Sequence, residues 1–432
     1  MIILPQYSGK NIAVFGLGKT GLAVIEAFLN SGANVYAWDD YHRPSIAGVN
    51  VSSPMTWPQI EMLVLSPGIP LQFPEPHPII KIAKNARWKL VSDVDLLYEA
   101  RPDATFIGVT GTNGKSTTSS LIQHILQYNQ MNSALGGNIG NPALGLNDDA
   151  AIYVLEVSSY QLELINKINF NIGVLLSITP DHIERHDSME NYVLTKKKIF
   201  SPRSIGVISI DNVVNQNLLV DLKKRYNIST KSVLNEGFSL VDNIIYHDHH
   251  QVSSLDRYEV VSENLIAAYA TCIALGLKHK DINNAIKEFK NLPHRMEYVA
   301  TTGRIMFVND SKATNAEAAQ EALCAYNNIY WIAGGREKAG GIENINLDNV
   351  KYVFLIGDAA DAFASTLRKK GSQYIISHTL KQALKGAYHM ASNTEEDITI
   401  LLSPACSSFD QWSSFEDRGN SFKKMISEIL SH

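Results

Sequence analysis

A glycine-rich loop that carries a lysine and a serine lies between a predicted strand and a predicted helix. It covers residues 107–116, with the sequence IGVTGTNGKS. Such a loop can bind phosphate groups, because its backbone N–H groups and the helix N-terminus point towards the anion. Lys115 would then pair with the terminal phosphates of a nucleotide, and the Ser116 hydroxyl would bind magnesium. Val109 stands where the strict motif requires glycine, so a purely structural turn is the alternative. The combination of glycine, lysine and hydroxyl between strand and helix favours nucleotide binding.

A second glycine loop, GLGKTG at residues 16–21, also joins a predicted strand to a predicted helix. Asp39 ends the next predicted strand, where an acidic residue often contacts a ribose. Taken alone, this pattern suggests NAD or another nucleotide. The same string also arises where glycines only allow a strand and a helix to pack closely, so it does not specify a ligand.

Three further side chains have types suited to phosphate or metal chemistry. Glu156 ends the apolar strand AIYVLEV, where a carboxylate is costly unless it meets a cation, so a magnesium ligand is favoured over a surface glutamate. His182 lies in the turn ITPDHIERH, and the residues alone leave it undecided between a ligand and a structural or exposed histidine. Lys196 belongs to the basic stretch NYVLTKKKIF, for which composition alone predicts a solvated face.

The elements that would position these residues alternate between strand and helix along the chain. A first segment, residues 1–92, contains the strand patterns NIAVFG, NVYAWDD and MLVLSPG and a helix from Leu22 to Asn30. A second, residues 93–292, contains ATFIGVTG, AIYVLEV and NIGVLLSI. After Pro293, which is predicted to break a helix, residues 293–432 contain RIMFVNDS, NIYWIAGG, YVFLIGD and ITILLSPA. We therefore predict an α/β protein of three domains.

The composition excludes several classes of protein. With 432 residues, of which 45% are hydrophobic, the chain can fill more than one core. Its three cysteines form no CxxC pair, which argues against a disulfide framework and a cysteine-based metal site. The formal net charge of -5 argues against a nucleic-acid partner. We expect a cytoplasmic protein without a membrane partner, because no apolar run approaches membrane-spanning length and the N-terminal segment lacks signal-peptide features.

Six strings that occur in order along most of the chain resemble the Mur ligase family. They are TGTNGKST, GGNIGNP, LEVSSYQLE, ITPDHIERH, NDSKATN and SPACSSFDQWSSFEDRGNSF. The resemblance implies an N-terminal Rossmann-like domain for a UDP-linked substrate, a central P-loop ATPase domain with a mostly parallel sheet, and a C-terminal Rossmann-like domain for an amino acid.

Within this family, the last string and the N-terminal glycine loop are most similar to the branch that uses D-glutamate. The resemblance therefore implies an ATP-dependent ligase of peptidoglycan synthesis, and hence of cell-wall biogenesis, cell shape and cell division. It would join D-glutamate to UDP-N-acetylmuramoyl-L-alanine through an acyl phosphate, releasing ADP and phosphate. ATP and Mg²⁺ are the implied cofactors, and a monomer is expected.

The resemblance also assigns individual residues. It implies that Lys115, His182 and Lys196 are catalytic, with Lys196 carbamylated by carbon dioxide. The implied metal ligands are Ser116, Glu156, His182 and the Lys196 carbamate. The implied ATP contacts are Gly111, Thr112, Asn113, Gly114, Lys115, Ser116, Thr117, Asn264, Arg295, Asp310 and Lys312. The implied UDP-substrate contacts are Gly16, Gly18, Thr20, Gly21, Asp39, Ser66, Pro67, Gly68, Asn138 and Ser159, although Asn138 could equally form a turn. The implied D-glutamate contacts are Thr314, Lys338, Ser408 and Phe415.

Three positions depart from the family pattern. The second strand ends in Asp39-Asp40-Tyr41, where related ligases often carry a hydroxyl and an arginine. Tyr41 could stack on uracil, but no arginine is expected there. Ala267 replaces a family asparagine on the adenine side. The string around Lys338 differs from the usual form, so an exposed lysine is the alternative at that position.

Three other functions remain as alternatives. Folylpolyglutamate synthases use a related ATPase domain but lack the N-terminal GLGKTG domain. A non-enzymatic nucleotide-binding protein would be favoured if the phosphate loop or the lysine position were degenerate, and both are intact. A dehydrogenase built on residues 16–21 would leave the second glycine loop unexplained.

Overall fold

The computed structural model describes residues 1–218, 220–255, 260–290, 292–337 and 341–431. The chain forms two compact units, Met1–Phe289 and Lys290–His432, of which unit 1 contains two β-sheets and unit 2 a third. The predicted α/β class is confirmed, since all three sheets are mostly parallel and alternate with helices. The division between the units falls close to the predicted boundary after residue 292. The boundary after residue 92 stays a prediction.

The first sheet contains five parallel strands. They are β1 (Asn11–Phe15), β2 (Asn34–Trp38), β3 (Val49–Val51), β4 (Met62–Leu65) and β5 (Lys89–Val91), in the order β3-β2-β1-β4-β5. Its helices are α1 (Lys19–Asn30), α2 (Pro78–Asn85) and α3 (Asp93–Ala100), with short 3-10 turns at Pro5–Tyr7 and Pro54–Thr56. The central strands β1 and β4 are almost wholly buried, as expected for a parallel sheet covered on both faces. Helix α1 begins three residues before the predicted start, with Gly18 as its N-cap.

The second sheet contains nine strands. They are β6 (Thr105–Thr110), β7 (Ser133–Gly137), β8 (Ile152–Glu156), β9 (Ile172–Leu175), β10 (Ile205–Ser209), β11 (Lys224–Ser229), β12 (Phe238–Val241), β13 (Ile244–His247) and β14 (His250–Ser254). Their order is β14-β13-β12-β11-β10-β9-β6-β8-β7, and only the β12-β13-β14 pairings are antiparallel. The helices are α4 (Lys115–Tyr128), α5 (Ser159–Leu164), α6 (Ile183–His186), α7 (Met189–Lys197), α8 (Val213–Gln216), α9 (Ser262–Ala274) and α10 (His279–Glu288), with a 3-10 turn at Ala143–Gly145.

Unit 2 contains a six-stranded sheet. Its strands are β15 (Glu297–Thr302), β16 (Ile305–Asn309), β17 (Ile329–Gly334), β18 (Val350–Ile356), β19 (Tyr374–His378) and β20 (Ile398–Leu402), in the order β15-β16-β20-β17-β18-β19. Only β15 runs antiparallel to its neighbour. The helices are α11 (Ala316–Ala325), α12 (Ala360–Lys369), α13 (Leu380–Ser392) and α14 (Phe415–Leu430). None of the described helices in either unit is long and apolar enough to cross a membrane.

The order of the second sheet places three polar segments side by side. Strand β6 pairs with β8 on one side and β9 on the other, and all three are parallel. Their carboxyl ends therefore meet at one edge, where ligands bind in open α/β sheets. The phosphate loop follows β6, Glu156 ends β8, and the segment leading to His182 follows β9.

The two sheets of unit 1 share a hydrophobic cluster that includes Val14 of β1 and Leu155 of β8.

A buried carboxyl group, that of Asp93, lies at the start of α3 and is 2% exposed. Burial raises the pKa of Asp93 to about 6, although backbone N–H groups of Val94 and Ala143 favour the ionised form. Its Oδ2 atom has no hydrogen-bond partner among the described residues. Ionised Asp93 is therefore unfavourable in the folded protein.

Asp93→Asn is expected to remove part of the pH dependence of the free energy of unfolding. The unfolded chain releases this proton near pH 3.8 and the folded protein only near pH 6. The folded state therefore binds more protons between these values, and raising the pH destabilises the wild-type protein. Between pH 4.5 and 7.5 the free energy of unfolding of the wild-type protein would fall by roughly 2 kcal/mol through this group. Asparagine cannot ionise, so Asp93→Asn would not show this loss.

Urea unfolding of both proteins at these two pH values tests this expectation. Asp103→Asn, at an exposed carboxylate ten residues later, is the matched control and should keep the wild-type pH dependence. An equal pH dependence of the free energy of unfolding in the wild type and in Asp93→Asn would contradict the raised pKa of Asp93.

Candidate active site

The phosphate loop connects β6 to α4 near the centre of the second sheet. Val109, the departure from the strict motif, lies within β6 and is fully buried, so it changes the strand and not the loop. Gly114 is the N-cap of α4 and has a left-handed backbone with φ +78°. A Cβ atom there would lie 2.1 Å from Oδ1 of Asn264, so both the backbone angle and the close approach of α9 require glycine. Asn264 is buried, and its Nδ2 atom has no hydrogen-bond partner within the described ranges.

Two lysines donate to the same backbone carbonyl of this loop. Lys115 Nζ donates to the carbonyl oxygens of Gly111 at 3.0 Å and Thr112 at 2.7 Å. Lys196 Nζ, from the last turn of α7, donates to the Gly111 oxygen at 2.8 Å. Lys196 is 1% exposed, so the composition-based alternative of a solvated face is wrong for this residue. Burial holds the pKa of Lys196 well below its usual value, and the nearby Lys115 lowers it further, against the opposing effect of Asp181.

A buried carboxylate lies at the end of the neighbouring strand β8. Glu156 is 2% exposed, and its Oε1 atom accepts a hydrogen bond from Asn138 Nδ2 at 2.7 Å. Its Oε2 atom is buried and has no partner in the described part of the chain. A buried, unpaired carboxylate oxygen is unfavourable, and a bound cation would satisfy it. The surface alternative for Glu156 is therefore wrong, and Asn138 fixes the orientation of the carboxylate.

His182 precedes the short helix α6 and has a left-handed backbone with φ +56°. Its Nδ1 atom lies 3.0 Å from the Tyr160 hydroxyl, while Nε2 lies 3.6 Å from Asp181 Oδ2. Metal-binding histidines commonly use one ring nitrogen for such an outer partner and the other for the metal. Among the residues that the structure describes, no group of three or more His, Cys, Asp and Glu side chains is arranged to bind a metal ion.

Three side chains that the sequence analysis did not assign stabilise this region. Tyr192 Oη lies 3.2 Å from Thr112 Oγ1 in the phosphate loop. His186 Nε2 lies 3.0 Å from Ser159 Oγ, and both side chains are buried. Arg185 is 5% exposed and forms an ion pair with a glutamate of α5. Arg185 and His186 follow the predicted histidine by three and four residues, a helical spacing that could have identified them.

The GLGKTG loop of the first sheet folds closely against the end of β4. Gly16 has φ +95°, and a Cβ atom there would lie 2.6 Å from the Ser66 side chain. Ser66 Oγ donates to the Gly16 carbonyl at 2.9 Å. Asp39 Oδ2 accepts from the Leu17 N–H at 2.8 Å. Burial opposes ionisation of Asp39, but backbone N–H groups outweigh it and lower the pKa of its carboxyl. Asp39 and Ser66 therefore fix the loop from two sides.

The end of β2 is next to an arginine that the sequence analysis did not expect. The guanidinium of Arg43 lies 4.0 Å from the centre of the Trp38 ring, and its Nε donates to the Asp39 carbonyl at 3.0 Å. The expectation that no arginine is available here is therefore wrong. Because the chain turns after β2, an arginine four residues beyond Asp39 reaches the strand end. Tyr41 is 99% exposed.

In unit 2, the buried Asp310 follows β16. Its carboxylate accepts hydrogen bonds from Ser403 Oγ at 2.7 Å and the Met296 N–H at 3.2 Å. Burial raises the pKa of Asp310 to about 7, although Ser403 and Arg295 favour the ionised form. The Nε atom of Arg295 is buried and has no hydrogen-bond partner among the described residues.

The residues predicted to bind D-glutamate lie in unit 2. Phe415 begins α14, and Lys312 Nζ lies 4.1 Å from the centre of its ring. Ser408 is buried and Thr314 is half-buried. Lys338 lies outside the described residues.

Arg418 connects these segments and was not predicted. It is fully buried on α14 and donates to the Ser311 carbonyl at 2.9 Å and the Cys406 carbonyl at 3.0 Å. It thus joins the segment after β16 to the segment after β20. Arg418 lies within the string FEDRGNSF, but nothing in that string distinguishes it from an exposed arginine.

The chain is similar to known proteins along most of its length. Residues 109–271 match the Mur ligase middle domain, and residues 294–406 match the Mur ligase, glutamate ligase domain. A UDP-N-acetylmuramoylalanine--D-glutamate ligase from Wolbachia pipientis is 39% identical over 99% of this chain and 98% of the relative. The ligase of the same name from Rickettsia bellii is 40% identical over 97% of this chain and 98% of the relative.

Solved structures share the fold at lower sequence identity. The UDP-N-acetylmuramate-alanine ligase MurC from Thermotoga maritima has a TM-score of 0.63 at 15% identity, covering 97% of this chain and 99% of that one. The MurF ligase from the same organism, in complex with ADP, has a TM-score of 0.61 at 16% identity, covering 99% and 97%. Because two Mur ligase domains match and relatives of this family match over nearly the whole chain, the chain belongs to the Mur ligase family.

Proposed function

We propose that this protein is an ATP-dependent ligase of peptidoglycan synthesis that joins D-glutamate to UDP-N-acetylmuramoyl-L-alanine. The products are UDP-N-acetylmuramoyl-L-alanyl-D-glutamate, ADP and phosphate. The names of relatives that match over nearly their whole length support the choice of substrates. The observation in this chain that carries the proposal is the phosphate loop, where Lys115 and the buried Lys196 donate to one carbonyl oxygen.

A carboxylate does not react with an amine at neutral pH, because its oxygen is a poor leaving group. In the proposed first step, a carboxylate oxygen of the UDP-substrate bonds to the γ-phosphorus of ATP, and the bond to ADP breaks. In the second, the amine of D-glutamate bonds to the acyl carbon, phosphate leaves with the bonding electrons, and the nitrogen loses a proton. Both steps depend mainly on positioning and on the neutralisation of negative charge.

Several described side chains are suited to the nucleotide. We assign the γ-phosphate to Lys115 and to the other phosphate-loop residues among 111–117. The unpaired Asn264 Nδ2 atom suits a hydrogen-bond acceptor on the base. From unit 2 we assign Arg295 to the phosphates, because its Nε atom is an unpaired buried donor, and Asp310 to the ribose, with Lys312 as a further contact.

Magnesium, when bound, would neutralise part of the phosphate charge. The donors present suit it, because Glu156 Oε2 is unpaired and Ser116 stands at the start of α4. We assign a second ion to His182 and Lys196. The lowered pKa of Lys196 leaves part of its amine neutral, so its nitrogen can bond to the carbon of carbon dioxide and lose a proton. The resulting carbamate is an anion, which suits a position beside Lys115.

The remaining assignments concern the two joined substrates. We assign the diphosphate of the UDP-substrate to the loop of Gly16, Gly18, Thr20 and Gly21, because Gly18 is the N-cap of α1 and the N–H groups of Thr20 and Gly21 lie in its first turn. Its other contacts would be Asp39, Ser66, Pro67, Gly68, Asn138 and Ser159. For D-glutamate we assign Thr314, Ser408, Phe415 and Lys338, since a lysine and hydroxyl groups are suited to two carboxylates.

The proposal is tested by phosphate release from Mg-ATP with UDP-N-acetylmuramoyl-L-alanine. D-Glutamate is compared with L-glutamate, L-alanine, L-lysine and no amino acid. Release that depends on both the UDP-substrate and D-glutamate is expected. Dependence on another amino acid would overturn the assigned step, and release independent of the UDP-substrate would overturn the assigned acceptor.

A further inference from the structure

A buried ion pair on the second sheet of unit 1 also contacts the first sheet. Arg185 of α6 is 5% exposed, and its Nε and Nη2 atoms both donate to Glu163 Oε2, at 3.0 Å and 2.7 Å. Glu163 lies on α5, and its side chain is 15% exposed. Two charge-assisted hydrogen bonds to one carboxylate oxygen fix the plane of the guanidinium.

The same guanidinium donates to backbone carbonyls in residues 66–69, directly after β4. Nη2 lies 2.9 Å from the Ile69 carbonyl, and two longer contacts of 3.5 Å reach the two preceding carbonyls. Ser66, at the start of this segment, donates to the Gly16 carbonyl. One short backbone segment therefore links Arg185 to the glycine loop of the first sheet.

Arg185 also contacts the residue that orients His182. Its guanidinium carbon lies 5.0 Å from the centre of the Tyr160 ring. The Tyr160 hydroxyl lies 3.0 Å from His182 Nδ1. A single buried side chain thus touches both the segment at residues 66–69 and the ring that holds the histidine.

We infer that Arg185 is a positioning residue that holds the segment at residues 66–69 at a fixed place relative to His182. This rests on the proposed function, in which that segment contacts the UDP-substrate and His182 belongs to the phosphoryl-transfer centre. The substrate is bound mainly by the first sheet but reacts at the second. The carboxylate of the substrate therefore reaches the γ-phosphate only when the first and second sheets are held at a fixed relative position. A misplacement of about 1 Å can lower the rate about 100-fold.

Arg185→Lys keeps the positive charge but loses the planar set of donors that reaches Glu163 and the backbone together. We expect kcat/KM for the UDP-substrate to fall about 30-fold, through both a higher KM and a lower kcat. The Kd of ATP, measured without UDP-substrate, should stay within about twofold of the wild-type value, because the hydrogen bonds of Arg185 among the described residues go to Glu163 and to the carbonyls of residues 67–69, and not to the phosphate loop at residues 111–117. An unchanged kcat/KM, or an equal loss of ATP affinity, would overturn the inference.

Arg225→Lys is the matched control, since Arg225 is a half-buried arginine of the same unit that donates to Asn227 and the Leu218 carbonyl. It should leave both constants unchanged. If Arg185→Lys does not fold, Glu163→Gln keeps the guanidinium but removes its charged partner, and an unchanged KM there would overturn the inference.

Two readouts separate this inference from the proposed function. Phosphate release by the wild-type protein that does not depend on the UDP-substrate would contradict the proposed function but not the positioning role of Arg185. Amide hydrogen exchange tests the positioning role of Arg185 in the absence of any substrate. In Arg185→Lys, the amides of residues 66–69 and 182–186 should exchange faster than in the wild type, while those of residues 115–128 should exchange at the wild-type rate. Wild-type exchange rates in all three segments would overturn the inference.

Discussion

Lys115→Ala is expected to lower D-glutamate-dependent phosphate release by a factor on the order of 1,000 while the protein remains folded. The Lys115 ammonium lies on the phosphate loop, where it donates to two backbone carbonyls. In the proposed reaction it neutralises the charge that spreads over the transferred phosphoryl group. Alanine removes this charge without altering the glycine backbone that forms the loop. The measurement is the steady-state rate at saturating Mg-ATP, with circular dichroism to verify the fold.

Lys280→Ala is the matched control for this variant. Lys280 is an exposed lysine in the first turn of α10, as Lys115 is in the first turn of α4. Its removal changes the net charge equally and should leave the rate unchanged. A folded Lys115→Ala protein with wild-type activity would show that the loop does not bind the reacting phosphates.

The central strands of each sheet could be predicted because they are continuous apolar runs between turn residues. The patterns ending in the phosphate loop and in Glu156 correspond to β6 and β8, which are buried on both faces. Strand β11 and the edge strand β14 carry mostly polar side chains, so neither contains an apolar run from which a strand could be predicted. Strand β19 is likewise at an edge and mostly exposed.

The candidate site could be predicted only where a motif is local in sequence. The loop around Lys115 is such a case, because its glycines and lysine are consecutive. The burial of Lys196 depends instead on α7 packing beside that loop, which no spacing within NYVLTKKKIF reveals. Arg43 and Arg418 were missed for the same reason, since their partners are fixed by a chain turn and by two distant loops.

Lys196→Ala is expected to lower the rate by a factor on the order of 100 to 1,000 and to regain part of it when acetate is added. The proposed active form of Lys196 is a carbamate, so the variant lacks a carboxylate-like anion beside Lys115. A small carboxylic acid can enter the space left by the side chain and supply that anion. The measurement is phosphate release as a function of acetate concentration at constant ionic strength.

Lys197→Ala is the matched control, because this neighbouring lysine is only half-buried. It should keep wild-type activity and show no response to acetate. This comparison also tests the choice of Lys196 over its neighbour, because a carbamate on Lys197 would exchange the two results.

A carbamate also makes the activity of the wild-type protein depend on carbon dioxide. Only the neutral amine bonds to carbon dioxide, and burial beside Lys115 lowers the pKa of Lys196 and so increases that fraction near neutral pH. Lowering the pH protonates the amine and opposes the modification. Activity in buffer depleted of carbon dioxide should therefore fall in the wild type and recover when bicarbonate is added. The activity of Lys196→Ala should not change with bicarbonate, because the variant has no amine to modify. It should rise with acetate, because the space left by the side chain can hold this anion. A variant with full activity, or one that acetate does not restore, would instead leave Lys196 with the structural role of bonding to the Gly111 carbonyl.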